Sequence, residues 1–249
     1  SYSKMDWFIQ VLEQPYKNLE NSFWTDEINR RASQSGCRVL LTGQYGNVTI
    51  SYGNIFTRAY TLFRHGRFIK LVKEIKGLSK IHKTSSLYVA KVISKSFIPF
   101  WIRKLVSTKN EIENNSFVNK KLIKKWETER RLRKLGLITK PEKYYTFKKA
   151  RKFIVNPLAF TQIGNVVTKT ALAYGIVKRD PTIDKRVIEF CLSLPDDQFV
   201  RNGEERRLVR KAMEGILPDK VRLNVKYRGI QYADWIQRLD PKRNAIIED

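Results

Sequence analysis

Cys37-Arg38-Val39-Leu40-Leu41-Thr42-Gly43 is the stretch of the chain that decides the fold. Its middle is apolar and partly β-branched, and the glycine that ends it is typical of a loop. Because a strand covered on both faces has a continuous apolar run, this pattern predicts one buried parallel strand that leads into a glycine-bearing loop. No other convincing strand can be recognised in the sequence.

Outward from this strand, apolar residues recur at helical spacing along most of the chain. They predict helices over residues 6–13, 26–32, 56–63, 68–75, 87–105, 122–135, 158–174, 183–194 and 204–213. The 249 residues are 42% hydrophobic, which is enough for a core. The sequence therefore predicts a mostly α fold with a small α/β element, in which helices surround the single strand.

Cysteine and histidine usage gives no sign of a metal site. Cys37 lies in the strand pattern and Cys191 in a helical pattern, so both are expected to be small buried residues in a reducing compartment. Together with His65 and His82 they form no set with zinc-ligand spacing. The most apolar long stretch, residues 156–177, has polar interruptions that favour a buried helix over a membrane span. We expect a soluble, cytoplasmic protein without structural zinc.

The charge of the chain is unevenly distributed. There are 49 lysines and arginines against 24 acidic residues, a net charge of +25. Residues 64–152 hold 26 of the basic and 6 of the acidic residues, and so account for 20 of the 25 net charges. A charge excess of this size favours an acidic partner.

Within this basic segment, the pattern over residues 120–135 predicts one basic amphipathic helix. Its apolar stripe would be Leu122, Ile123, Trp126, Leu132 and Leu135. Its candidate residues for binding an acidic partner are Lys120, Lys121, Lys124, Lys125, Arg130 and Arg131. A solvated helix face, a nucleic acid and an anionic lipid surface are the alternatives.

Residues 40–53, Leu-Leu-Thr-Gly-Gln-Tyr-Gly-Asn-Val-Thr-Ile-Ser-Tyr-Gly, contain an irregular loop after the predicted strand. They resemble the loop of asparagine-synthetase-like enzymes, where Ser/Thr-Gly, Glu-Gly-x-Asp-Glu and Gly-Gly-Tyr follow an apolar strand. Gln44 stands where that family has Glu, Asn47 where it has a magnesium-binding Asp, and Val48 where it has a second Glu. The form Gly-Gln-x-Gly-Asn-x-Thr-x-Ser resembles the lasso-peptide cyclase branch. The alternative is a glycine-rich turn with Asn47 in the left-handed conformation.

Three later segments resemble the same family in the expected order. Residues 179–184, Arg-Asp-Pro-Thr-Ile-Asp, resemble its Arg-x-Pro-Phe-Leu-Asp loop, although an ordinary helix N-terminus explains Pro181 and Asp184 locally. Residues 203–222 resemble its basic helix and Leu-Pro turn. Residues 226–231, Lys-Tyr-Arg-Gly-Ile-Gln, resemble the basic residue and glycine that the family places over the phosphates and the acyl-adenylate.

The resemblance implies the C-terminal part of an adenine-nucleotide α-hydrolase-like (PP-loop ATPase) synthetase domain. Residues 1–249 would be a partial domain, with a strand–loop half (1–60), a basic helical insertion (61–155) and a C-terminal helical part (156–249). The family's phosphate loop, Ser-Gly-Gly-x-Asp-Ser, does not occur in this sequence. Because that loop holds the ATP phosphates, we expect an incomplete catalytic domain that is inactive alone.

The resemblance to lasso-peptide cyclases implies an ATP-dependent ligase. ATP would activate a side-chain carboxylate of a precursor peptide as an acyl-adenylate, and the peptide's N-terminal amine would then close a macrolactam ring. ATP and Mg²⁺ are the implied cofactors. The precursor peptide, and a leader peptidase or peptide-recognition protein, are the implied partners. The alternatives are an asparagine synthetase that amidates aspartate, and a basic module that binds nucleic acid or acidic peptides.

The same resemblance implies roles for particular residues. Asp184 would be the base, Lys226 with Arg228 would hold the developing oxyanion, and Gln44 would position the activated carboxylate. The nucleotide and a metal-bound water would be positioned by Gly43, Gly46, Asn47 and Arg179. None of these residues is an expected direct metal ligand, although Asn47 can accept a hydrogen bond from a metal-bound water.

Overall fold

The computed structural model of the protein describes residues 4–14, 22–98, 102, 119–135, 145–155, 157–225, 241 and 244. Helices dominate these residues, beside a small parallel sheet and a short hairpin, so the predicted mostly α fold with a small α/β element is confirmed. The elements are α1 (Met5–Leu12), α2 (Ser22–Gln34), β1 (Val39–Leu41), α3 (Ile55–Arg64), α4 (Phe68–His82), α5 (Ser86–Ser94), α6 (Lys120–Lys125), α7 (Thr128–Lys134), α8 (Phe147–Ile154), α9 (Pro157–Leu172), β2 (Val177–Arg179), α10 (Lys185–Ser193), β3 (Val200–Arg201), β4 (Glu204–Glu205), α11 (Arg207–Ala212) and α12 (Asp219–Arg222).

The chain divides into two units. The first unit takes Ser1–Ile50, Ile154–Cys191 and Asn224–Asp249, and the second takes Ser51–Phe153 and Leu192–Leu223. The division into residues 1–60, 61–155 and 156–249 stays a prediction, as does the PP-loop ATPase assignment.

Helices α1 and α2 both pack on α9 in the first unit, which also holds most of α10. Phe8 and Leu12 of α1 are buried, and α1 packs on α9. Asp26 of α2 is buried as well, where it pairs with Lys4 at 2.5 Å and accepts a hydrogen bond from Tyr174 Oη at 2.7 Å. Burial, together with this hydrogen bond, raises the pKa of Tyr174 to about 12. These contacts hold the end of α9 against α2, immediately before β2 begins.

The parallel sheet consists of β1 and β2, with Leu40 opposite Lys178 in the register. The prediction of a single buried strand was wrong in two respects, because a second strand pairs with β1 and because Val39 and Leu41 are 56% and 68% exposed. Cys37 is also exposed, whereas Cys191 is buried as predicted. Within the described residues, β2 is the one strand that pairs with β1. The apolar sequence of β1 is therefore not sufficient to bury this strand.

The second unit is built around α3. Asn54 caps this helix, because its side-chain oxygen accepts the N–H groups of Phe56 at 2.9 Å and Thr57 at 3.2 Å. Ile55, Ala59 and Leu62 are buried at helical spacing, and they supply the face that packs into the core. The rest of that core includes a group of buried aromatic rings, namely Tyr52, Phe147 and Phe199.

The region predicted as one helix over residues 204–213 begins with β4, the second strand of a hairpin. Asn202 and Gly203 both have positive φ, 53° and 77°, which makes the two-residue turn that joins β3 to β4. Arg206 also has a positive φ of 57°, and α11 begins only at Arg207. The turn chemistry of Asn-Gly therefore prevailed over the helical spacing.

The predicted long basic helix over residues 120–135 is two short helices, α6 and α7. Glu127 has a φ of 45° and separates them. Lysines spaced four apart repel each other along α6, which disfavours a longer helix. Of the predicted apolar stripe only Ile123 is buried. The side chains of Lys121, Lys124, Lys125, Arg130 and Arg131 are exposed, and that of Lys120 lies outside the described residues.

Two other predicted helices differ in length from the observed ones. The helix predicted over 87–105 is described as α5, which ends at Ser94, and residues 99–101 and 103–105 lie outside the described part of the chain. Helix α4 continues to His82, well beyond the predicted end at residue 75. No helix in the described ranges has the length and apolar character that a bilayer crossing requires.

Candidate active site

The two strands of the parallel sheet end at the same edge. The N–H of Thr42 donates to the carbonyl of Arg179 at 2.8 Å, which continues the pairing beyond β1. A 3₁₀ turn, Gln44–Val48, follows β1, and another, Pro181–Ile183, follows β2. In open parallel sheets, ligands bind outside the carboxyl ends of the strands. The fold therefore brings together two segments that lie about 135 residues apart in the sequence and that the sequence analysis identified separately.

Asp180 joins these two turns. One of its carboxylate oxygens accepts the N–H of Tyr45 at 3.0 Å, and the other accepts the N–H and the hydroxyl of Thr182 at 2.9 and 2.5 Å. The second pair of bonds caps the turn that begins at Pro181. Sequence analysis did not single out Asp180 as a site residue. An Asp-Pro-Thr sequence indicates a local cap, but no sequence signal indicates the hydrogen bond from Tyr45.

The residues predicted to position ligands after β1 all lie in or beside the first turn. Gln44 and Asn47 are exposed, and within the described residues their side chains have no hydrogen-bonding partner. Asn47 does not have a positive φ, so the alternative of a left-handed turn residue is wrong. A Cβ added to Gly43 would meet no atom within 4 Å, and one added to Gly46 would make ordinary contact with Thr182. Neither glycine is required by packing.

The predicted residues after β2 are separated by the second turn. Arg179 is the last residue of β2, and its side chain is exposed. Asp184 ends the turn and caps α10, because it accepts the N–H of Arg186 at 2.9 Å. The side chain of Arg186 also binds both carboxylate oxygens, at 3.0 and 2.9 Å. These hydrogen bonds lower the pKa of Asp184 to about 2.

Lys178, in the middle of β2, is a second residue that the sequence analysis did not single out. Its side chain is half-buried, and burial lowers the pKa of its amine below the ordinary value of 10.5. A lysine with a lowered pKa near strand ends is a candidate for ligand contact, since functional sites are enriched in such perturbed groups. The alternation of side chains along a strand places Lys178 on the face opposite to Arg179.

The predicted cationic residues Lys226 and Arg228 lie outside the described residues. Within the described part, no group of three or more histidine, cysteine, aspartate or glutamate side chains is placed to hold a metal ion. The candidate active site thus offers two exposed amide side chains, an open glycine and one clamped carboxylate. Such groups orient a polar or charged ligand by hydrogen bonds, and they contribute little charge of their own.

The chain resembles known proteins over most of its length. The family model of asparagine synthase matches residues 5–247. A curated relative, asparagine synthetase [glutamine-hydrolyzing] 1 of Bacillus subtilis (strain 168), is 35% identical over 71 residues. These residues are 28% of this chain and 11% of the relative, so the match spans about a tenth of that protein's length. No solved structure matches the chain. On the family match, which covers nearly all of its residues, this chain belongs to the asparagine synthase family.

Proposed function

We propose that this chain is part of an ATP-dependent enzyme that forms a C–N bond, and that its product is a macrolactam closed on a peptide. The observation that carries the proposal is the joining of residues 43–48 to residues 179–184 by Asp180 at the ends of two parallel strands. Both segments belong to the part of the chain that the family model covers. The lasso-peptide assignment rests on the amide side chains of Gln44 and Asn47, which stand where acids are usual.

The described residues are better suited to contact a nucleotide than to bind a metal ion directly. Gly43 has open space beside its Cα, which allows a phosphate or carboxylate to approach the backbone. Asn47 brings an oxygen but no charge, so Mg²⁺ would take its direct ligands from the ATP phosphates and water. In the proposed site, ATP supplies the adenylate leaving group. Gln44 would orient the substrate carboxylate, and Asn47 would accept a hydrogen bond from a metal-bound water.

The amide-forming step requires a free amine and a stabilised oxyanion. The predicted base, Asp184, has its pKa lowered to about 2, so it would act by accepting a hydrogen bond and by fixing the start of α10 rather than by holding a proton. Lys226 and Arg228 stay the proposed cations for the oxyanion. The precursor peptide is the proposed substrate, with a peptide-recognition protein or leader peptidase as the proposed partner.

Asparagine synthesis is the second candidate function, because the curated relative from Bacillus subtilis carries that name. It would use the same acyl-adenylate, formed on free aspartate, and ammonia in place of the peptide amine. Amide residues at positions 44 and 47 favour the peptide reaction, since the asparagine-synthetase pattern has acids at both positions.

The test is AMP release by the enzyme expressed from the complete reading frame of the gene. Candidate peptides with a free N-terminus and a side-chain carboxylate are compared with aspartate plus ammonia. The proposal expects peptide-dependent AMP and a product lighter than the peptide by one water. Gln44→Ala should lower this rate by about tenfold or more, whereas Gln34→Ala, an exposed glutamine in the same unit, should not. AMP release with aspartate plus ammonia, and none with the peptides, would support asparagine synthesis, and no AMP with either substrate set would refute both.

A further inference from the structure

The tip of the β3–β4 hairpin is held tightly against helix α4 in the second unit. The N–H of Gly203 donates to the carboxylate of Glu74 at 2.8 Å, in a position where Glu74 is 3% exposed. A Cβ added to Gly77 of α4 would lie 1.8 Å from the carbonyl oxygen of Asn202. The backbones of α4 and of the hairpin are therefore in direct contact. This contact fixes the Cα positions of the side chains beside it.

A pocket of about 480 Å³ lies at this junction. Its cationic lining consists of Lys70, Lys73 and Lys76 from α4, Arg201 from β3 and Arg58 from α3. All of these residues belong to the second unit. The volume is in the range of ordinary small-molecule sites.

The charges in this pocket do not balance. Arg58 and Glu74 are both buried and pair with each other at 3.4 Å, and Arg58 also lies 3.7 Å from the carboxylate of Asp196, so the charge of Arg58 is compensated. Lys70, Lys73 and Lys76 form no ion pair with any acidic residue of the described chain. Asp197 is the one further acid in the lining, against three lysines and Arg201.

The three lysines are exposed, so their mutual repulsion is small, and a bound anion would relieve it. Lysines three residues apart on one helix repel each other, which destabilises the helix by a few tenths of a kcal/mol for each pair, roughly. The hairpin adds Arg201 to the same space through the backbone contact described above. A ligand that carries several negative charges in a small volume would neutralise these cations together.

We propose that this pocket binds the polyphosphate group of a small molecule. Phosphate groups bring more charge per volume than carboxylates do, and lysine ammonium groups are well suited to them as mobile point charges. The limited volume favours a compact ligand over a folded partner. Free inorganic polyphosphate and a nucleotide both carry such a group, and the test separates these sources. The inference is independent of the proposed amide-forming activity, because none of the pocket residues belongs to the candidate active site.

The test is a calorimetric titration of the full chain with sodium tripolyphosphate, with ATP in the absence of metal, and with citrate. The triple variant Lys70→Ala/Lys73→Ala/Lys76→Ala is compared with Lys80→Ala/Lys91→Ala/Lys95→Ala. The control removes the same number of charges from exposed lysines outside the pocket. Alanine is well tolerated in helices, and thermal melting verifies that both variants fold.

The proposal expects tripolyphosphate to bind about tenfold or more weakly to the pocket variant, and within about twofold of the parent to the control, because the lost contacts are local. Parallel loss of ATP binding in the pocket variant identifies a nucleotide as the source, and binding of tripolyphosphate alone identifies free polyphosphate. Three results would overturn the proposal. These are equal weakening in both variants, citrate binding as tightly as tripolyphosphate, and no binding by the parent at about 1 mM, a weak affinity for any site.

Discussion

Gly77→Ala should destabilise the protein, although alanine normally stabilises the interior of a helix. Gly77 lies inside α4, where alanine has an intrinsic advantage of about 0.8–1.0 kcal/mol over glycine. The new Cβ would lie 1.8 Å from the carbonyl oxygen and 2.2 Å from the carbonyl carbon of Asn202. Because these are backbone atoms, the hairpin itself must move.

The magnitude follows from two losses. Forcing a methyl group into a packed contact costs about 1–3 kcal/mol. Displacing the hairpin also weakens the hydrogen bond from Gly203 to the buried carboxylate of Glu74, and a bond to a charged group contributes about 1.5–3 kcal/mol. After the helix advantage is subtracted, we expect a net loss of about 2–5 kcal/mol in the free energy of unfolding, or roughly 10 °C in Tm for a chain of this size.

The assay is urea and thermal denaturation of the full chain followed by circular dichroism. Gly164→Ala is the matched control, because Gly164 lies inside α9 and its added Cβ would meet no atom within 4 Å. That variant should be about 1 kcal/mol more stable than the parent, as expected for an unhindered helix position. If Gly77→Ala were as stable as Gly164→Ala, the close approach of α4 to the hairpin would be refuted.

Three shorter predictions concern the other elements. Gly43→Ala should leave Tm unchanged or raise the free energy of unfolding by about 0.4–1 kcal/mol, because the φ of −126° at Gly43 suits alanine. AMP release by the complete enzyme should fall about tenfold, because the added methyl group fills the space beside the backbone. A fall in stability would contradict this prediction. Lys178→Met should be more stable near neutral pH, because it removes a half-buried charge that burial disfavours. In the parent, the pKa of Lys178 lies below 10.5 in the folded state, so the folded state binds fewer protons than the unfolded state. The free energy of unfolding of the parent therefore rises with pH just below 10.5. Urea titrations of the variant should lack this rise. Asn54→Ala should lose about 1 kcal/mol, measured by the same denaturation, and Asn54→Asp should retain most of the cap.

Local patterns in the sequence predicted most of the helices, although α8 and α12 lie outside the predicted ranges. The spacing that buries Ile55, Ala59 and Leu62 is visible in the sequence, and so is the change from an apolar run to glycine at the end of β1. These signals depend on neighbouring residues alone. For the same reason they gave correct element types in most places and less accurate ends, as for α4.

Properties that depend on distant residues could not be predicted. Whether β1 is buried depends on what packs against it, and its apolar sequence alone favoured the wrong answer. The Asn-Gly turn at residues 202 and 203 is a local signal, but no local signal shows that its tip is held by Glu74, more than a hundred residues earlier in the chain. Asp180 was missed as a site residue for a similar reason, since its partner Tyr45 lies on the other strand's turn.

The two carboxylates that follow β2 differ in what they can contribute to amide formation. Asp184 is held by Arg186, and a group with a pKa of about 2 carries a proton in roughly one molecule in 10⁵ at pH 7. It therefore cannot be a strong base, but a peptide N-terminus does not need one, because its own pKa is about 7.7–8.0 and part of it is already neutral near pH 7. What the reaction needs is an acceptor that fixes the amine beside the activated carboxylate. Asp180 fixes the two turns that would surround that carboxylate, and Asp184 fixes the helix that follows them. In the proposed reaction, the rate of ring closure should accordingly follow the titration of the substrate amine, and not that of Asp184.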